Sequence, residues 1–263
     1  MDLAPHVLAL LAATGLVAGF IDSIAGGGGL ITLPALLAAG LPPQLALGSN
    51  KLQGSFGTFS ASLTFVRGGE VSLREMALPF AVTFVAAGLG TLVVQAVDPR
   101  FLSAMIPFLL VAIAVYFVAA PQAGTVDTRA RIGPHAFLWG IVPVIGFYDG
   151  FFGPGTGSFF AICFVALLGH NLRRATAKTK LLNFASNVAS LCFFVLGGNV
   201  AWVAGLVMGA GQLVGARLGS RLVIRRGAGL VRPLLVFMSL ALTARLLFVG
   251  DASALAQMLG WMR

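Results

Sequence analysis

Charge is scarce in this sequence. Asp, Glu, Lys and Arg make up 10% of it and only eight residues are acidic, whereas 58% are hydrophobic and the mean hydropathy is +0.97. A water-soluble domain must cover itself with polar surface, so this shortage excludes a soluble globular fold and points to an integral membrane protein. Cysteine is as rare. Cys163 and Cys192 both stand in apolar runs, define neither a disulfide framework nor a metal site, and read as small buried hydrophobes. His6, His135 and His170 show no metal-ligand spacing, and no nucleotide loop or soluble catalytic domain is recognisable, so neither an enzyme nor a cofactor is expected. No Lys or Arg precedes the first apolar run, MDLAPHVLALLAATG, which argues against a cleaved signal peptide.

What the chain does have is apolar runs. They fall at about 7–25, 29–41, 45–66, 76–97, 101–120, 135–152, 157–169, 177–197, 200–222 and 232–250. Most approach the ~20 residues that a helix needs to cross a bilayer, and only helices satisfy their own backbone in lipid. The second and seventh runs are short, about 13 residues or roughly 20 Å, and cannot cross alone. If the N-terminus is outside and every run reverses direction, thirteen of the seventeen basic residues fall on the inner side; Lys51, Arg100, Arg245 and Arg263 are the others. That lopsided split predicts an N-out, C-out protein with an even number of crossings. It also explains the net charge of +9 as membrane topology, leaving no call for nucleic acid as a partner beside the lipid bilayer.

The ten runs divide five and five, and the halves match. GFIDSIAGGGG (Gly19 to Gly29) aligns with GFYDGFFGPGTG (Gly146 to Gly157), pairing Asp22 with Asp149, Gly26 with Gly153 and Gly28 with Gly155. Two residues shifted, ALGSNKLQGSFGT (Ala46 to Thr58) aligns with ATAKTKLLNFASN (Ala175 to Asn187), pairing Asn50 with Thr179, Lys51 with Lys180 and Thr58 with Asn187. An odd number of segments per half inserts the second half upside down. The predicted fold is therefore an all-α polytopic membrane protein of two inverted-topology repeats, each with a short Gly-broken hairpin helix. It forms one transmembrane domain over 1–263: repeat 1 at about 7–120, a polar linker at 121–134 and repeat 2 at about 135–250.

Short Gly-broken segments at matching positions in two halves are the best sequence pointer to a transporter's binding site. Gly26, Gly27, Gly28 and Gly29, and Gly153, Gly155, Thr156 and Gly157 in the second half, would let backbone N–H groups and the positive ends of the short helices face a small oxyanion. Asp22 and Asp149 lie one turn before the clusters, at helix C-termini that disfavour negative charge, and need a proton, a cation or neighbouring N–H groups. Two roles stay open for them: proton or cation coupling, or holding the glycine loops by accepting hydrogen bonds. Lys51 and Lys180 can complete an oxyanion site, with Asn50, Gln53, Asn183 and Asn187 giving orientation; snorkelling to the two interfaces is the alternative for the lysines. Gly205, Gly209, Gly211, Gly215 and Gly219 form a small-residue face for close helix packing, internal or between protomers, so a homo-oligomer stays open. Trp139, Trp202 and Trp261 fall near interfaces as aromatic anchors.

GFIDSIAGGGGLITLPALLAAG, the following SNKLQ, GFYDGFFGPGTGSF and KTKLLNFASN together resemble the TauE/SafE family of membrane transporters, the sulfite exporters, over about residues 10–250. The resemblance implies a bacterial inner-membrane carrier for a small anion: a sulfur oxyanion or organosulfonate of the sulfite, thiosulfate or sulfoacetate type. It also places the chain in a branch whose substrate is unassigned. Two rivals remain. An anion channel is the first, because broken hairpins also build pores. The second is an intramembrane aspartyl protease: Tyr148-Asp149 matches one of its elements, but no Gly-x-Gly-Asp occurs.

Overall fold

The structure is a computed structural model of the chain and describes residues 3–119 and 129–226. These residues form nine helices and no strand. In chain order, α1 is Pro5–Ala25, α2 Gly29–Ala38, α3 Pro43–Arg67, α4 Leu73–Ala96 and α5 Pro99–Ala119. Helix α6 runs through Pro134–Ala136, a π-helical turn at Phe137–Ile141, and Val142–Phe151. Then come α7 (Thr156–Ala166), α8 (Leu172–Leu196) and α9 (Trp202–Arg226). The fold is all-α, as the run lengths require. The tenth expected segment, the linker core and Trp261 lie outside the described residues.

Length and hydropathy make α1, α4 and α8 long and apolar enough to cross a membrane. Helices α3 and α9 are as long, at 25 residues each, but α3 carries a polar interior and α9 ends in arginines. The outside of the protein is the apolar part: Leu16, Val85, Leu89, Leu206, Val214 and Leu218 are exposed, whereas Ser49, Asn50, Lys51, Gln53, Lys180, Asn183 and Ser186 are buried. Water would invert that arrangement, and hydrocarbon imposes it. Helix α2, at 10 residues, and α7, at 11, are each about 15 Å long and begin inside the protein, at the buried Leu30 and Thr156.

Packing interlocks the halves. Helix α1 lies against α9 and α6 against α4, so each half's first helix packs on the other half's fourth. Helices α3 and α8 pack on each other at the centre; α9 closes on α3, α4 on α8, α2 on α3 and α7 on α8. Glycine allows the closest of these contacts. A Cβ at Gly15, Gly211 or Gly215 would fall about 2 Å from a carbonyl oxygen across the α1–α9 seam, and one at Gly90 or Gly150 would do the same across α4–α6. Gly205 and Gly209 instead receive Leu52 and Phe56 of α3. The small-residue face of α9 is thus used within the chain.

Three expectations need correction. Helix α8 begins at Leu172, five residues before the predicted 177, because Asn171 caps it by accepting the Arg174 N–H at 2.9 Å. Arg173 and Arg174 are therefore helical along with Lys178 and Lys180, and three of the four are paired: Arg173 with Glu70, Lys178 with Glu75 and Lys180 with Asp22. The predicted 135–152 helix contains a π turn at Phe137–Ile141, next to Pro143, which has no N–H to give to the carbonyl one turn back. Cys192 is exposed and Cys163 only half-buried, and both are free thiols; a thiol on an apolar helix surface needs no burial when the surroundings are lipid.

Candidate functional site

Both glycine clusters break the backbone where expected. Helix α1 ends at Gly26, whose φ of 73° is open to glycine at little cost and whose N–H donates to Asp22 O. The chain then turns, and the Asp22 carboxylate bridges the break by accepting the Gly28 N–H at 3.1 Å. In the second break Gly153 and Gly155 have φ of 99° and 86°. The carboxylate does not hold this loop; the Tyr148 hydroxyl does, donating to Pro154 O at 2.6 Å. The two breaks touch. Ser158 Oγ donates to Ala25 O at 2.7 Å and to Gly26 O, and a Cβ on Gly26 would stand 2.5 Å from the Gly157 carbonyl carbon.

The central helices bring the charges. Lys51 of α3 reaches Asp149 Oδ1 at 2.6 Å and also the Asp149 main-chain carbonyl, while Lys180 of α8 reaches Asp22 Oδ2 at 2.9 Å. Each aspartate is therefore paired with the lysine of the other half. Lys51 is 1% exposed and Lys180 0%, so neither snorkels to an interface. Asp149 Oδ2 further accepts from Ser186 Oγ. An unpaired carboxylate or ammonium at this depth would cost several kcal/mol, and the crossed pairs offset part of that cost for all four groups.

Around these pairs lies a small polar cavity of ≈ 40 Å³. Asp22, Gly29, Asn50, Lys51, Gln53, Asp149, Gly153, Gly155, Thr156, Gly157, Asn183 and Asn187 line it, so most of the residues singled out in the sequence converge here. Gly26, Gly27, Gly28 and Lys180 do not line it. Gly26 packs on Gly157, Gly28 packs on the Asp22 side chain, Gly27 meets little, and Lys180 is sealed behind Asp22. The first turns of α2 and α7 therefore border the cavity through Gly29, Thr156 and Gly157.

Sequence reading missed Gly54, Thr58 and Gln212, which also line the cavity. For Gln212 there was a signal: it is the one polar side chain in AWVAGLVMGAGQLVG (Ala201 to Gly215), and a polar residue in a membrane segment needs a reason. The carboxamides leave acceptors over. Asn50 Oδ1 takes Thr32 Oγ1 at 2.6 Å and Gln53 Nε2 at 2.8 Å. Gln53 Oε1, Asn183 Oδ1 and Gln212 Oε1 are buried with no hydrogen-bond partner. Carboxamides can present either end, so these three supply uncommitted polar contacts to whatever fills the cavity. Among the described residues no group of His, Cys, Asp and Glu could hold a metal ion.

Known proteins match this chain in sequence over nearly its whole length. A profile of the family described as sulfite exporter TauE/SafE matches residues 11–246. A probable membrane transporter protein, ORF9, of Sinorhizobium sp is 53% identical over 247 residues, covering 94% of each chain. A probable membrane transporter protein of Haemophilus influenzae is 47% identical over 94% of this chain and 97% of its own. The probable membrane transporter protein YfcA of Escherichia coli K12 is 46% identical over 97% and 95%. No solved structure matches the chain. With a match over nearly its whole length and a polar chamber enclosed by helices that face lipid, this chain is a membrane transporter and belongs to the TauE/SafE, or sulfite exporter, family.

Proposed function

We propose that this transporter carries a small anion, a sulfur oxyanion or an organosulfonate of the sulfite, thiosulfate or sulfoacetate type, by alternating access of its two halves. The cavity carries this reading: it is bordered by the N-terminal turns of α2 and α7, by the buried ammonium of Lys51 and by uncommitted carboxamides. Helix N-termini and a desolvated ammonium both favour anions, and a site where two halves meet suits a carrier that rocks one against the other. The halves are inverted, the site lies in the bacterial inner membrane, and both termini face outward; the Lys and Arg distribution supports that orientation. Asp22 and Asp149 each meet a lysine, so two carboxylates sharing one proton, as in an aspartyl protease, gain no support.

Counterflow is the test. Proteoliposomes preloaded with unlabelled thiosulfate should accumulate labelled thiosulfate faster than empty ones, and the purified protein should gain thermal stability with sulfite, thiosulfate or sulfoacetate. Equal rates in loaded and empty vesicles would indicate a pore, and stabilisation only by carboxylates would remove the sulfur assignment. Within the same reading, Gln212→Leu should weaken binding about tenfold while the protein still folds, since one hydrogen bond to a charged ligand contributes about 1.5–3 kcal/mol. A thermal-shift titration measures it.

A further inference from the structure

We infer that the two aspartates have divided the roles open to them: Asp22 is a strut, and Asp149 is the group that takes up one proton for each anion carried. The inference rests on the anion-carrier reading and adds the coupling ion to it. The first observation is the asymmetry of the loops. Asp22 spans its own break by accepting the Gly28 N–H, which gives its carboxylate a structural task. In the second half Tyr148 spans the break instead, which leaves Asp149 with Lys51 and Ser186 and no loop to hold.

The second observation is charge balance. The two crossed pairs beside the cavity, two carboxylates and two ammonium groups, are together neutral. A monoanion entering the cavity leaves a net charge of −1 in a site enclosed by apolar helices, which is expensive. Lys51 borders the cavity and Lys180 does not, so the anion draws its ammonium contact from Lys51. Asp149 then loses its partner, and one proton from the aqueous side on its carboxylate restores neutrality. When the anion leaves on the other side, Lys51 returns to Asp149 and the proton departs. Few other groups compete for it. Among the described residues facing Asp149, α3 contributes Lys51, α8 contributes Ser186, and α4 contributes the uncharged Thr91 at the Gly150 carbonyl. Asp22 of α1, on the same cavity, keeps Lys180.

The experiment is anion uptake into proteoliposomes containing a trapped pH dye. The probes are methanesulfonate, a monoanion at all working pH, and thiosulfate, a dianion. The expected result is one proton per anion for both, so that methanesulfonate uptake generates no membrane potential and thiosulfate uptake does. Asp149→Asn should still gain thermal stability from the anions but take them up without acidifying the lumen. Asp22→Asn should keep the ratio of one while unfolding at lower temperature. Wild-type uptake without acidification overturns the inference even if the Asn variants fail to fold, and so does an Asp149→Asn protein that still moves protons. Absence of uptake for both probes overturns the anion-carrier reading underneath, and the inference with it.

Discussion

Lys51→Met should lower anion uptake about a hundredfold and destabilise the purified protein at the same time. The transport loss follows from position: Lys51 is the ammonium that both borders the cavity and is cut off from lipid and water. Removing a charged contact to a desolvated anion forfeits up to about 3 kcal/mol, two powers of ten in affinity. The stability loss has another source. Methionine leaves the Asp149 carboxylate buried with only Ser186 to answer it, and breaking one side of a buried pair costs about 3–5 kcal/mol. The two effects separate in the double variant Lys51→Met, Asp149→Asn. Its stability should recover, because no uncompensated charge remains, while its uptake should not. A double variant that transports at the wild-type rate would show that Lys51 serves the fold and not the substrate.

Gly26→Ala should cost about 2–5 kcal/mol, the sum of left-handed backbone strain and overpacking, and should leave little folded protein on extraction. Its φ is 73°, and its Cβ would stand 2.5 Å from the carbonyl carbon of Gly157, a backbone atom in the opposing break that cannot move alone. Gly27→Ala, one residue later, is the control. A Cβ there meets only Leu30 Cδ1, at 3.8 Å, so the variant should be close to wild type. Thermal unfolding of the detergent-solubilised proteins compares the two. Equal behaviour would mean that the breaks do not press on each other as the structure describes.

Much of this molecule could be read from its residues, and the limits of that reading are physical. The helices, the two breaks and the convergence of Asn50, Lys51, Gln53, Asn183 and Asn187 follow from hydrophobic run length, from glycine and from polar groups in apolar surroundings, all local properties. The crossed pairing of Asp22 with Lys180 and Asp149 with Lys51 was not legible. Aligning the repeats places aspartate on aspartate and lysine on lysine, but says nothing of which half answers which. That depends on the exchange of α1 and α6 between the halves. Helix α8 was predicted to start late because a hydropathy pattern treats Arg173 and Arg174 as loop, although Glu70 neutralises Arg173 from the neighbouring hairpin. Gln212 was overlooked because the glycines around it already explained α9 as a packing surface.

The crossed pairs also set a condition on how the protein is made. Asp22 lies 158 residues before Lys180, and Lys51 lies 98 before Asp149. At roughly 5–20 residues per second, Asp22 waits about 8–30 s for its partner after leaving the ribosome. Until Asp149 follows, the nascent first half carries a carboxylate and an ammonium on segments bound for the bilayer, and neither has the partner it meets in the folded protein. Burying either charge alone in hydrocarbon is costly, so α1 and α3 reach their final places only once α6 and α8 have followed.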